Sequence, residues 1–192
     1  ILSTILDLVN RRLPSFNSKW SKIWDIQVLA PTRKGLLGVD NLNNEIQAIL
    51  NPSSKDKKEK QVRDIVFREG DKVMQIKNNY SLEWHRIGGD GENKGVGVFN
   101  GDMGYIETID EERKVLSVVF DDERRVIYEF MFLDELELAY AITIHKSQGS
   151  EFKVVVMPTF MGSAFLMNRN ILYTGITRAK ELVVVVGNQR SL

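Results

Sequence analysis

The sequence contains no cysteine and only two histidines, His85 and His145, among its 192 residues. The absence of cysteine excludes disulfide bonds and thiolate metal ligands, and two histidines are too few for a histidine cluster, so we expect no metal site. No apolar run approaches the roughly 20 residues that a membrane-spanning helix needs. We therefore expect a cytoplasmic protein without a membrane partner. The pattern G-x-x-x-x-G-K-[ST] is also absent, so this sequence contains no P-loop.

An excess of charge of either sign is lacking too, because 26 lysines and arginines balance 26 aspartates and glutamates. The net charge therefore gives no indication of a nucleic-acid partner. The charges are unevenly spread: acidic residues dominate positions 107–137, whereas positions 141–192 contain six basic and two acidic residues. A locally basic face can bind phosphate groups. Since the sequence begins with Ile1 rather than methionine, we expect it to be a fragment of a longer protein.

Both ends of the sequence have the pattern of an α/β layer. Apolar spacing predicts a helix over Ile1–Arg12, and a buried strand follows at Asp25–Ala30. Near the other end, uninterrupted valine runs predict strands at Lys153–Pro158 and Leu182–Gly187, with a helix over Met167–Lys180 between them. Such runs are typical of parallel strands that are covered on both faces.

The middle of the sequence changes to short β-rich runs separated by acidic turns. Several short strands at this spacing predict a small β-barrel, inserted between two α/β pieces that meet in space. We place the α/β pieces at 1–60 and 136–192 and the barrel at 61–135, with Leu136–Ala141 as a strand of the second α/β piece. The predicted strands of the barrel are Val62–Phe67, Lys72–Lys77, Val96–Phe99, Tyr105–Ile109, Val115–Phe120 and Arg125–Phe130.

The segment Thr143-Ile-His-Lys-Ser-Gln-Gly149 joins a predicted strand to a short helix or turn. Free backbone N–H groups at such a junction favour phosphate, and the side chains can add hydrogen bonds or charge. Gly149 permits a sharp turn or a close approach of a ligand, and Glu151 could accept a hydrogen bond from a sugar hydroxyl. A polar turn with a solvated lysine explains the pattern equally well. The candidate phosphate-binding side chains are Thr143, His145, Lys146 and Ser147.

Arg178 lies close to the end of the last predicted helix. It could be a cation that the helix dipole favours, or an arginine finger that stabilises charge on a transferring γ-phosphoryl group. Thr32 and Arg33 follow the first predicted strand, and ligands of open α/β sheets bind beyond the carboxyl ends of strands. A solvated basic loop is the alternative for these two residues.

At these blocks the sequence resembles the C-terminal part of superfamily 1 DNA helicases of the RecD/TraA type, which are exodeoxyribonuclease V alpha-subunit-like proteins with a UvrD-like C-terminal domain. The resemblance covers nearly the whole chain. The matching blocks, in order, are Asp25–Gly35 as the motif IV region, Gly70–Tyr80 and Val98–Gly104 around an SH3-like insertion, Thr143–Phe152 as motif V, and Tyr173–Lys180 as motif VI.

The resemblance implies a RecA-like parallel sheet without a P-loop, carrying an inserted SH3-like β-barrel: domains 2A and 2B of a motor. It implies that Arg178 reaches the γ-phosphate of ATP and that Gln148, Gly149 and Glu151 lie on the nucleotide side. Thr143, His145 and Ser147 would lie on the DNA side, with Lys146, Thr32 and Arg33 as further contacts. The Mg²⁺ that accompanies ATP would be held by the missing first motor domain.

The resemblance also implies partners and a context. Single-stranded DNA and the missing N-terminal RecA-like domain are the expected partners, with nuclease subunits as further candidates, in DNA repair or recombination. Because the sequence has no Walker motifs, we expect the isolated fragment to be inactive as an ATP hydrolase and helicase. A non-enzymatic module that binds nucleic acid or protein is the alternative.

Overall fold

The structure is a computed structural model that describes residues 1–88, 93–159 and 169–187. It divides into an α/β unit, Ile1–Pro52 with Tyr140–Leu192, and a β unit, Ser53–Ala139. The sequence placed these divisions after residues 60 and 135. They lie after residues 52 and 139 because Glu59–Val62 and Leu136–Leu138 both pair with strands of the β unit.

The secondary structure, in chain order, starts with a long helix. Helix α1 consists of an α-helical segment Leu2–Asp7, a π-helical segment Leu8–Arg12 and an α-helical segment Leu13–Phe16. Strand β1 (Ile26–Ala30) and helix α2 (Val39–Leu50) follow. The β unit contains β2 (Glu59–Val62), β3 (Ile65–Arg68), β4 (Lys72–Gln75), β5 (Asn79–Arg86), β6 (Lys94–Val98), β7 (Met103–Asp110), β8 (Val115–Phe120), β9 (Arg124–Glu129), a 3-10 helix (Phe130–Glu135) and β10 (Leu136–Leu138). The α/β unit resumes with β11 (Ala141–Thr143), a 3-10 turn (His145–Ser147), β12 (Phe152–Pro158), α3 (Arg169–Ile176) and β13 (Ala179–Val186).

The sheet of the α/β unit has the strand order β11-β1-β12-β13, and all its pairs are parallel. Every residue of β1 is buried, as are residues 154–158 at the end of β12. Burial on both faces explains the apolar run of β12, whereas Val183–Val185 of the edge strand β13 are only half-buried. Both valine runs lie in parallel strands, so that prediction is confirmed.

Helix α2 is attached to the edge strand β11 by one buried amide. The side chain of Asn43 donates from Nδ2 to the Ala141 carbonyl at 2.9 Å and accepts from the Ala141 N–H at Oδ1 at 2.8 Å. Leu42 and Ile46 on the same helix are also buried. An edge strand has one row of backbone groups without a strand partner, and Asn43 satisfies part of that row.

The β unit is an antiparallel sheet of seven strands in the order β10-β4-β7-β8-β9-β5-β6, accompanied by the hairpin β2–β3. Its core includes Phe67, Ile106, Leu116, Phe120 and Tyr128, each exposed by 1% or less. The phenol of Tyr128 donates to Oε1 of Gln75 at 2.8 Å, so its polar end is satisfied. The strands in the middle of the sequence therefore enclose a core of their own.

Two sequence predictions in the α/β unit are corrected. Helix α1 does not end at Arg12 but continues to Phe16, because the wider π turn places Pro14 in the first turn of a new α-helical segment, where its missing N–H costs least. The last helix stops at Ile176 rather than Lys180, and Ala179 already belongs to β13. The expected start of this helix, at residues 167–168, lies outside the described residues.

Three predictions in or beside the β unit are also corrected. Val62–Phe67 is not one strand, because Arg63 adopts a φ of 53° and turns the chain between β2 and β3. Leu136–Ala141 is two strands: β10 pairs with β4, whereas β11 pairs with β1 of the other unit's sheet. Strand β5 was missed, since its polar residues interrupt the apolar alternation.

Candidate functional site

The parallel sheet of the α/β unit has two distinct edges. Its carboxyl edge lies beyond Ala30 and Thr143, which are partners in register. Its amino edge is where β12 and β13 begin, with Phe152 opposite Ala179. The register of the strands places Thr143 level with Pro158, the last residue of β12. Phe152, the first residue of β12, lies six residues before Pro158, which is about 20 Å along the strand at 3.3 Å per residue. The chain between Thr143 and Phe152 therefore runs back from the carboxyl edge to the amino edge.

The turn after β11 is held by its own hydroxyl groups. Oγ1 of Thr143 accepts from the N–H of Lys146 at 3.2 Å. Ser147 is fully buried, and its hydroxyl donates to the Ile144 carbonyl at 2.6 Å. The Ser147 side chain therefore faces the protein, unlike the ligand-facing position expected from the sequence. His145 is exposed and Lys146 is half-buried.

The loop after β1 reaches the same edge. The N–H of Ile144 donates to the Ala30 carbonyl at 3.1 Å, so the chain segments that leave β1 and β11 start side by side. The hydroxyl of Thr32 donates to the Lys34 carbonyl at 3.2 Å, and Arg33 pairs with Asp40 at 3.2 Å. A cavity of about 280 Å³ lies in this loop, lined by Thr32, Lys34, Gly35, Leu36 and Leu37. The structure thus brings the expected DNA-side residues to one edge.

Arg178 lies at the opposite, amino edge. Its carbonyl accepts a 2.8 Å hydrogen bond from the N–H of Phe152, which fixes it at the start of β13. The half-buried guanidinium donates from Nε to the Thr174 carbonyl and from Nη1 to the Ser150 carbonyl, both at 3.3 Å, and from Nη2 to Thr177 Oγ1 at 3.4 Å. These bonds are at the long end of the range, and a guanidinium has five N–H donors. Arg178 can therefore add hydrogen bonds to an anion.

The turn before β12 brings the other nucleotide-side residues to Arg178. Gly149 adopts a φ of 87°, and a Cβ added there would meet nothing within 4 Å, so the sharp turn rather than a close contact requires glycine. Glu151 pairs with Lys180 at 2.9 Å. The ammonium of Lys180, and to a smaller extent the charge of Arg178, hold the pKa of Glu151 below its usual value. Gln148 is exposed.

Sequence reasoning missed two charged residues of the amino edge. Lys180 was placed in a helix, so its pairing with Glu151 across neighbouring strands was not visible. Lys153 pairs with Asp25 at 3.1 Å and was read only as the first residue of a strand. Within the described ranges, no three histidine, aspartate or glutamate side chains are grouped as metal ligands. None of the described helices is long and apolar enough to span a membrane.

Comparison with known protein families gives two matches in this chain. Residues 42–120 match the SH3 domain of ATP-dependent RecD-like DNA helicases, and residues 138–186 match the UvrD-like helicase C-terminal domain. The chain corresponds to the C-terminal region of a RecD-type superfamily 1 DNA helicase. The β unit of this RecD-type chain is accordingly its SH3-like domain, inserted into a RecA-like α/β unit, as the sequence predicted.

Individual relatives agree with this family. The RecD-type chain is 34% identical over 163 residues to an ATP-dependent RecD2 DNA helicase of Deinococcus radiodurans. The aligned region covers 85% of the chain and 20% of that relative. It is 28% identical over 173 residues to the RecBCD enzyme subunit RecD of Haemophilus influenzae, covering 86% of the chain and 22% of the relative. The chain thus spans about a fifth of the length of these two relatives.

A solved structure supports the fold. The RecD-type chain is similar to a Bacteroides Pif1 helicase crystallised with ADP-AlF3 and single-stranded DNA, with a TM-score of 0.53 and 19% identity. The similarity covers 96% of this chain and 45% of the Pif1 chain. At this level of identity the similarity concerns the fold: a RecA-like α/β layer with an inserted SH3-like domain.

Proposed function

We propose that this chain is the second motor domain of an ATP-dependent DNA helicase that translocates along single-stranded DNA. The observation that carries the proposal is the course of residues 143–151. This one segment leads from the carboxyl edge, with its hydroxyl, imidazole and ammonium groups, to the amino edge, where Ser150 receives a hydrogen bond from Arg178. We propose that a conformational change at either edge reaches the other through this segment.

The amino edge is the proposed nucleotide side. ATP supplies the free energy of translocation when it is bound with Mg²⁺, which the first motor domain would hold. The Arg178 guanidinium fits a phosphate group, because two carbonyl oxygens and one hydroxyl oxygen orient it, and none of these three hydrogen bonds goes to a carboxylate. Arg178 stabilises the charge on the γ-phosphate, and Glu151 accepts from the sugar. Gln148 and Gly149 shape the turn beside them.

The carboxyl edge is the proposed DNA side. His145 and Lys146 lie on the turn after β11, and Thr32 and Arg33 lie on the adjacent loop after β1, so the four can follow one stretch of phosphate backbone. Contacts of this kind fix the position of the strand without reading its sequence. Thr143, which is half-buried, acts through the hydrogen bond that it accepts from the Lys146 N–H in the turn. Ser147, which is buried, keeps the turn in shape rather than touching DNA.

The test uses the intact helicase that contains this chain. Arg178→Ala should reduce the rate of ATP hydrolysis by about 10³-fold or more while the affinity for single-stranded DNA changes little. His145→Ala should weaken DNA binding first. Arg11→Ala is a matched control, since Arg11 is an exposed arginine of the α/β unit that pairs with Asp7 on its own helix. Equal loss of hydrolysis and DNA affinity in the Arg178 variant would contradict the division into two sides.

The isolated chain is proposed to be inactive. It contains no P-loop lysine and no Walker acidic motif, so little in it can hold ATP or activate water. ATP hydrolysis by the pure 192-residue chain that disappears in the Arg178→Ala variant would overturn this part of the proposal. An intact protein that binds DNA or protein and shows no ATP hydrolysis would favour the binding module instead.

The partners belong to the same proposal. Single-stranded DNA, the first motor domain of the same protein and nuclease subunits are the proposed partners, because relatives include RecD subunits of the RecBCD enzyme. A cytoplasmic location is part of the proposal as well, and fractionation of cells that produce the intact protein would test it.

A further inference from the structure

The loop after β1 exposes one leucine and buries the next. Leu36 is 68% exposed, whereas Leu37 is 8% exposed. Both line the cavity of about 280 Å³ in this loop, together with Thr32, Lys34 and Gly35. We call this cavity with its five lining residues the Leu36 pocket. A single exposed leucine is ordinary, but a leucine that forms the wall of a cavity offers a ligand an apolar contact.

The polar side chains of the Leu36 pocket are bonded within the loop. The hydroxyl of Thr32 donates to the Lys34 carbonyl at 3.2 Å. The ammonium of Lys34 lies 3.0 Å from Oδ2 of Asp40, the carboxylate that also pairs with Arg33. The surface that remains for a ligand is mainly the apolar side chain of Leu36. The pocket therefore suits a ligand with an apolar face.

The start of helix α2 is closed to phosphate by the same loop. A helix N-terminus binds phosphate through backbone N–H groups that have no other acceptor. Here the N–H of Val39 donates to the Thr32 carbonyl at 3.0 Å, and the N–H of Asp40 donates to the Arg33 carbonyl at 3.1 Å. The carboxylate of Asp40 in the first turn also repels an anion. Phosphate is thereby disfavoured at this end of α2.

Hydrogen bonds hold Leu36 in place. The side chain of Asn41 donates from Nδ2 to the Leu36 carbonyl at 2.9 Å. The N–H of Gly38 donates to the Gly35 carbonyl at 3.0 Å, which closes the turn around Leu36. Because these bonds order the loop before a ligand arrives, binding costs little conformational entropy.

The position of the Leu36 pocket points to nucleic acid. Its loop starts beside the turn after β11, since the N–H of Ile144 donates to the Ala30 carbonyl. The α/β unit that contains both contains twelve lysines and arginines and six aspartates and glutamates, a net charge of +6. Positive charge attracts a polyanion, and a single strand brings bases whose flat faces are free to pack.

We propose that the Leu36 pocket takes up one base of single-stranded DNA, with the Leu36 side chain packed against the face of the base. The carboxyl edge then holds the strand by a base as well as by its phosphates. Every base has such a face, so the contact tolerates any sequence. This inference rests on the DNA side proposed above and adds a subsite to it.

The test measures the binding of a fluorescein-labelled oligothymidine to the intact helicase, without nucleotide, by fluorescence anisotropy. Leu36→Ala should weaken binding about fivefold, the lower end of the loss for a side chain that stacks on a base, because leucine has no ring. Leu36→Met should bind as the unchanged protein does, since it keeps the apolar volume. Met131→Ala is the matched control, because Met131 is a 73% exposed apolar residue of the β unit.

Two comparisons separate a base contact from a phosphate contact. An abasic oligonucleotide of the same length should bind equally well to the Leu36→Ala variant and to the unchanged protein. The salt dependence of oligothymidine binding should also be the same in these two proteins. Lys146→Ala, which removes a proposed phosphate contact, should instead reduce the slope of log affinity against log salt by about 0.7.

Equal weakening of both oligonucleotides in the Leu36→Ala variant would overturn the proposal. Unchanged affinity of that variant for oligothymidine would overturn it as well and would leave the pocket to a side chain of a partner protein. Failure of the proposed function gives a different result, because the unchanged helicase would then bind neither oligonucleotide and both proposals would be wrong.

Discussion

The N–H of Phe152 donates a 2.8 Å hydrogen bond to the carbonyl of Arg178. Through this bond the first residue of β12 and the residue before β13 are locked side by side, although they are 26 positions apart in the sequence. The same alignment directs the Arg178 guanidinium to the Ser150 carbonyl and brings Lys180 next to Glu151. The geometry of the proposed nucleotide side thus follows from the pairing of two parallel strands.

Replacing Gly149 by alanine should destabilise the chain by about 1 kcal/mol, because a residue with a Cβ is strained at a φ of 87°. The added methyl group meets nothing within 4 Å, so the loss comes from the backbone alone. Urea unfolding of the 192-residue chain measures it. Gly149→Asn should lose less, since asparagine tolerates this conformation better. An alanine variant as stable as the asparagine variant would show that the turn does not need glycine's freedom.

Replacing Asn43 by alanine should cost about 3 kcal/mol of unfolding free energy. The substitution leaves the buried N–H and carbonyl of Ala141 without the side chain that bonds them. Asn44, one position along and exposed, is the matched control, and Asn44→Ala should change stability by no more than about 0.5 kcal/mol. Equal losses in the two variants, measured by urea unfolding, would show that the two hydrogen bonds do not stabilise the chain.

The pKa of Glu151 should rise towards its ordinary value when Lys180 is replaced by glutamine. Lys180 lowers the pKa of Glu151 in the folded chain. The pair therefore stabilises the fold at pH values above the ordinary pKa of a glutamate, and this stabilisation is lost as the pH falls through the lowered pKa of Glu151. Carboxyl-carbon NMR titration measures the shift. Lys153→Gln removes a neighbouring ammonium that pairs with Asp25 instead, and it should leave the Glu151 titration unchanged.

Gly175 allows helix α3 to lie close to β12, and Gly175→Leu should destabilise the chain by about 1–3 kcal/mol through overpacking. A Cβ at this position would come within 2.5 Å of the methyl carbon of Met157. The double variant with Met157→Ala should recover part of the loss, because it removes the side chain in the way. If urea unfolding gave losses that simply add, the proposed contact between the two positions would be wrong.

The candidate site was partly predictable from the sequence. The stretches 143–149 and 173–180 stand out by their polar residues and their resemblance to helicase motifs, and the structure does bring Arg178 to the turn at Ser150. The burial of Ser147 could not be predicted, because serine on a turn is as compatible with an inward hydrogen bond as with an outward one. Lys180 was missed because the end of helix α3 was placed four residues too late.

The sequence by itself determined the parallel strands, since uninterrupted valine runs are typical of parallel strands, and it determined that an all-β segment is inserted between two α/β pieces. The tertiary structure decided which strands pair with one another. Leu136–Leu138 and Ala141–Thr143 are equally apolar neighbours in sequence, yet they join different sheets, because pairing depends on which open strand edge each one reaches. The tertiary structure also decided that the two ends of the segment 143–151 lie on opposite edges of the sheet. The reason is that β12 runs parallel to β11, so the chain must return from the carboxyl edge to the amino edge before β12 can start.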